Sequence, residues 1–100
     1  MDYEQKALAL CALGWSQFEI KIRGPRDWYA SCAGEIKDGG VLRSTMGNGA
    51  TPEIAVLDLW TQVTTLEPGQ YIVTRAFTDA RTAVKWNGFM WEPVVEKNAA

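Results

Sequence analysis

The sequence predicts an α+β domain: an antiparallel sheet of five to six strands with two helices on one face, in the order α-β-β-β-α-β-β-β. Three observations predict it. Apolar residues change from helical spacing over 3–13 to strict alternation over the runs that follow. Thr51-Pro52-Glu53 then opens a second apolar stripe at helical spacing. Short turn sequences separate the alternating runs, which implies a meander.

Residues 3–13, YEQKALALCAL, are helix formers that stop at Gly14, and Tyr3, Ala7, Leu10 and Cys11 share one helical face. In 15–23, Phe18, Ile20 and Ile22 alternate with Gln17, Glu19, Lys21 and Arg23, the pattern of a half-buried strand. A Gly-Pro turn follows. In 28–37, Trp28, Ala30, Cys32 and Ile36 alternate with Tyr29, Ser31, Glu35 and Lys37. Asp38-Gly39-Gly40 turns the chain into a shorter third strand at 41–46. Thr51 is a good N-cap, Pro52 suits the first helical position, and Glu53 faces the positive end of the helix dipole. Ala55, Val56, Leu59, Trp60 and Val63 form the buried stripe, Leu57 and Leu66 widen it, and Glu67-Pro68-Gly69 ends the helix. Residues 71–77 are a fourth strand. In 82–95, Trp86-Asn87-Gly88-Phe89 reads as a type I′ hairpin turn, because Asn and Gly tolerate positive φ at both central positions. Val84, Trp86, Phe89 and Trp91 then share one face.

The 100 residues suit one domain, with 1–66 as an α-β-β-β-α unit, 67–95 as an added strand and hairpin, and 96–100 as a frayed tail. Hydrophobic residues make up 47% and charged residues 22%, the profile of a soluble globular chain. Ten basic and twelve acidic residues leave a net charge of −2, which gives no general attraction to phosphate backbones. No run approaches the roughly 20 apolar residues of a membrane span, and no secretion signal is visible. A cytoplasmic protein is expected. Cys11 and Cys32 are expected as reduced, buried thiols, with a Cys11–Cys32 bridge as the alternative in an oxidising compartment.

The α-β-β-β-α order of the first 66 residues, the Gly24-Pro25 turn and the Gly47-Asn48-Gly49 approach to the second helix resemble the double-stranded-RNA-binding-domain fold. The stretch GNGATPEIAV is similar to the G-x-T-x-E-E-A segment of HicB-type antitoxins, which use a partial version of that fold. RNA-binding members of that fold place lysines at the start of the second helix. Here Thr51-Pro52-Glu53-Ile54-Ala55 stands there, with one carboxylate and no base, so the RNA-binding role does not carry over. In size, tryptophan content and lack of catalytic motifs the chain resembles small phage-encoded inhibitors of bacterial defence, such as anti-CRISPR proteins.

Without histidine, Ser-His-Asp and Cys-His catalysis cannot be built, and two cysteines do not fill a zinc site. GNGATPE has glycines before a helix N-terminus but neither the spacing nor the lysine of a phosphate loop. Gly47, Gly49 and Thr51 remain a candidate anion site for a nucleotide-binding sponge. Glu35, Asp38 and Asp79 lie in or beside turns, where carboxylates are ordinarily solvated. The five tryptophans are the strongest functional signal. Trp86, Phe89 and Trp91, with Arg75, Arg81 and Lys85 beside them in sequence, are the candidate partner-binding residues, or a homodimer seam. The plainer reading, and the first for this face, is that it closes the buried side of the sheet. Arg23 and Arg26 are candidate nucleic-acid contacts. The leading expectation is a non-enzymatic phage accessory or anti-defence protein, without a cofactor, that occludes a host protein. Nucleic-acid binding through the arginine and aromatic residues is the second expectation.

Overall fold

The computed structural model describes residues 1–14, 18–74 and 82–94. Among these the elements are α1 (Tyr3–Gly14), β1 (Glu19–Gly24), β2 (Asp27–Asp38), β3 (Val41–Gly49), α2 (Pro52–Thr64), β4 (Tyr71–Thr74), β5 (Thr82–Trp86) and β6 (Trp91–Pro93). Every strand pairing is antiparallel. The chain is α+β.

The long β2 is the hub of the sheet. β3 pairs along one of its edges. β1 takes the first half of the other edge, through Asp27–Ser31, and β4 the second half, through Glu35–Lys37. From β4 the sheet continues to β5 and β6. Midway along β2 the register with β3 shifts: Ser31 faces Met46, Glu35 faces Ser44, and Thr45 alone spans the three residues between. The buried Thr45 hydroxyl donates to Gly34 O at 2.8 Å and lies 3.5 Å from Cys32 Sγ, so one side chain satisfies the irregular backbone from across the ladder.

One core joins the helices to the sheet. Leu10 and Leu13 of α1 meet Ala55, Val56, Leu59, Trp60 and Val63 of α2 over Ala30, Ile36, Ile72 and Val84. Burying a leucine such as Leu59 contributes roughly 1.5–3 kcal/mol. The Thr74 hydroxyl donates to Leu13 O and ties the end of α1 to β4.

The start of α2 follows the local sequence. The Thr51 side chain accepts from Ile54 N, and Pro52 stands in the first turn. Other expectations need correction. The third strand runs to Gly49, so Gly47-Asn48-Gly49 is strand and not a turn. α2 ends at Thr64, before Glu67-Pro68-Gly69. Leu57 is 48% exposed and does not widen the stripe. In α1 the buried pair is Leu10 and Leu13, while Tyr3 is exposed. The cause is that only the C-terminal half of α1 reaches the core. The strand starts expected at 15–17, the end of the fourth strand at 75–77, and the tail at 96–100 lie outside the described residues.

Candidate binding surface

The β5–β6 hairpin differs from the type I′ turn that its Asn-Gly pair predicts. Trp86 pairs with Trp91, not with Phe89, and residues 87–90 form a four-residue loop. Gly88 has φ +104°, but Asn87 is not in the left-handed region. Asn87 Oδ1 instead accepts from Phe89 N at 2.8 Å and from Met90 N at 2.9 Å. Asn87 N donates to Met90 O at 3.0 Å. The amide side chain thus holds the loop from inside, an Asx turn in place of a mirror-image turn.

This register decides where each aromatic goes. Trp86 and Trp91 project to the helix-covered face and meet Trp60 of α2. Ring centroids are 4.9 Å apart for Trp60–Trp86, 5.0 Å for Trp86–Trp91 and 6.1 Å for Trp60–Trp91, all edge-to-face. Trp91 Nε1 donates to Ala9 O at 2.8 Å, so the hairpin is fastened to the middle of α1. These two tryptophans close the buried side of the sheet, the plainer of the two readings of that face. Phe89 does not share their face: it stands at the loop tip, 90% exposed, with Met90 beside it at 59%.

Between α1 and the hairpin lies an open groove of about 440 Å³, walled by Met1, Ala9, Ala12, Trp86, Phe89, Met90 and Trp91. All seven are apolar. The two alanines keep the α1 side shallow, and the loop raises the opposite wall. Met1, Ala9, Ala12 and Met90 were not foreseen as site residues. Ala9 and Ala12 sit three apart on the helix, a spacing that marks a face but says nothing of what lies opposite.

The remaining candidates do not join this groove. Lys85 alternates to the other face of the hairpin and its Nζ donates to Glu67 O at 3.3 Å. Arg75 and Arg81 lie outside the described residues. Arg23 is engaged by Asp27 at 2.9 Å and by Asn48 Oδ1 at 2.5 Å, and its guanidinium lies 5.1 Å from the Tyr29 ring centre. Arg26 sits in the β1–β2 turn at φ +57°. In the strand order β2 and β4 separate β1 from β5, so these bases and Lys85 do not form one patch. At the candidate anion site α2 lies on the strand itself. A Cβ at Gly49 would be 2.7 Å from Ala55 N, and one at Gly47 would overlap the Ala55 carbonyl oxygen. The glycines serve close packing of helix on strand, and the Thr51 hydroxyl is occupied by Ile54 N.

Burial, and secondly the nearby Cys32, raise the Cys11 thiol above its ordinary pKa. At neutral pH that keeps it protonated and a poor nucleophile. Glu35 and Asp38 are exposed; Asp79 and Trp15 lie outside the described residues. Among the described residues no three Cys, Asp or Glu side chains converge as a metal site, and no helix is long and apolar enough to cross a membrane. No protein-family model, curated protein or solved structure matches the chain.

Proposed function

We propose that this protein acts by binding another protein, without chemistry of its own, and that the groove between α1 and the 87–90 loop is the surface it uses. The observation that carries this reading is Phe89: a phenylalanine 90% exposed on a loop held by three hydrogen bonds, beside a groove lined by apolar residues. Displaying a large aromatic on an ordered loop favours association, because docking removes its surface from water without first ordering it. The groove falls within the roughly 300–1,000 Å³ of sites that take side-chain-sized or ligand-sized apolar groups. Its partner would insert one or two apolar side chains there, with Phe89 and Met90 as anchors on this side. The role we attach to this binding is that of the small phage anti-defence proteins which the chain resembles in type: covering the working surface of a host protein in the cytoplasm.

A photo-crosslinking benzophenone amino acid at position 89 tests it in bacterial lysate. The expected result is a discrete adduct, competed by excess wild-type protein and not by Phe89→Ser. Adducts only between copies of this chain, or none, would overturn the reading.

A further inference from the structure

β3 has one partner strand and one open edge, since among the described residues it pairs with β2 alone. Half of that open edge is already closed. Asp58 Oδ2 of α2 accepts from Asn48 N at 2.8 Å, and Gln62 Nε2 donates to Met46 O at 2.7 Å. Gln62 Nε2 also lies 3.3 Å from Asp58 Oδ2, so the two side chains, one helical turn apart, act as a clamp. These bonds show which peptide groups of β3 face away from β2. Outward-facing groups recur at every second residue, so 46 and 48 are followed along the strand by 44 and 42. No protein group among the described residues meets the outward N–H and C=O groups of Leu42 and Ser44. Val41 is 59% and Leu42 44% exposed, and Arg43 has no carboxylate partner among the described residues.

The other edges left open among the described residues are blunted. β6 is three residues long and ends in Pro93. β1 carries Glu19, Lys21 and Arg23 and breaks register between Ile22 and Gly24. Short length, proline, charge and irregularity are the features that keep edges from pairing. The Val41–Ser44 stretch has only Arg43.

We propose that the Val41–Ser44 edge of β3 takes an extended segment of a partner protein as an added strand, with an acidic side chain opposite Arg43. Two donors and two acceptors in strand alternation are matched by an extended backbone and by little else. An apolar side chain of the incoming strand covers Leu42 on one face, and a carboxylate meets the Arg43 guanidinium on the other. A second copy of this chain fits poorly. The register that uses all four groups on both edges pairs residue 42 with residue 44 of the other copy and sets Arg43 opposite Arg43, a like-charge cross-strand pair. The clamp limits the added strand to this stretch. In the sheet β2, β4 and β5 stand between β3 and β6, so this edge stands apart from the groove and does not depend on it.

The probe is an acetylated and amidated peptide, Ser-Val-Asp-Val-Thr-Ser, titrated into isotope-labelled full-length protein and followed by amide chemical shifts. The largest shifts are expected at Leu42 and Ser44. Replacing the peptide's Asp with Lys should weaken binding about tenfold, and Arg43→Glu should reverse that preference. Ser44→Pro removes an outward N–H while sparing the bonds to β2, and should abolish binding with the fold intact. A backbone N-methylated peptide should fail against the wild-type protein, which decides the matter should the proline variant misfold. Absence of shifts at 42 and 44 at millimolar peptide, equal binding of Asp and Lys peptides, or shifts confined to Trp86–Trp91 would overturn the proposal. So would a concentration-dependent dimer that Ser44→Pro dissolves, which would identify a second copy as the occupant.

Discussion

Gly47 carries no side chain because α2 leaves no room for one. A Cβ there would overlap the Ala55 carbonyl oxygen and the Leu59 amide, and would lie 2.8 Å from the Leu59 Cβ. Backbone atoms of a packed helix cannot step aside singly, so any added atom must move α2 off the sheet. Gly47→Ala is therefore expected to destabilise the fold by about 3 kcal/mol, read from urea unfolding. A loss below about 1 kcal/mol would mean that α2 slides freely and that the close contact is not what holds it. In sequence, the two glycines before a helix look the same whether they cradle an anion or admit a helix to a strand. The difference lies in what stands over them, and that is a long-range fact.

The hairpin shows the same thing for an element. Asn87-Gly88 correctly marks a reversal, but local φ preferences alone favour the tight two-residue turn. That register would pair Trp86 with Phe89 and Trp91 with Val84. The observed register pairs the two tryptophans on the inner face, where both pack on Trp60 and Trp91 reaches Ala9 O. Burial of two indoles, each worth several kcal/mol, outweighs the preference for one turn type over another. The loop then depends on the Asn87 side-chain oxygen. Asn87→Ala should cost about 1–2 kcal/mol of stability, and Asn87→Asp, which keeps the oxygen, much less. Chemical denaturation followed by tryptophan fluorescence compares them, and equal losses would show that the oxygen does not hold the loop.

At the scale of the molecule, one buried cluster among the described residues draws on α1, α2, β2, β4 and β5. α1 has no independent face to bury: Leu10 and Leu13 sit among the residues of α2 and the sheet, and Trp91 fastens it to the hairpin. Leu13→Ala and Leu59→Ala should each cost about 2–5 kcal/mol and should shift one common transition. Far-UV circular dichroism and tryptophan fluorescence should trace coincident curves. An early loss of helical signal in Leu13→Ala would show that α1 unfolds by itself.

The α+β class, the antiparallel meander of β1 to β3, the capped start of α2 at Thr51 and the inward stripe from Ala55 to Val63 are all legible in the residue pattern alone. These are local matters: side-chain periodicity, a capping hydroxyl and turn residues act over a few positions, so a short window contains their cause. Long-range packing set the rest: β1 and β4 share one edge of β2, Gly47 and Gly49 lie beneath α2, Trp86 and Trp91 turn inward while Phe89 turns out, and Ala9 and Ala12 face the hairpin. Each of these depends on groups far apart in sequence meeting at van der Waals distance, where the area buried and the space left over settle the arrangement, and neither quantity exists until the chain has closed on itself.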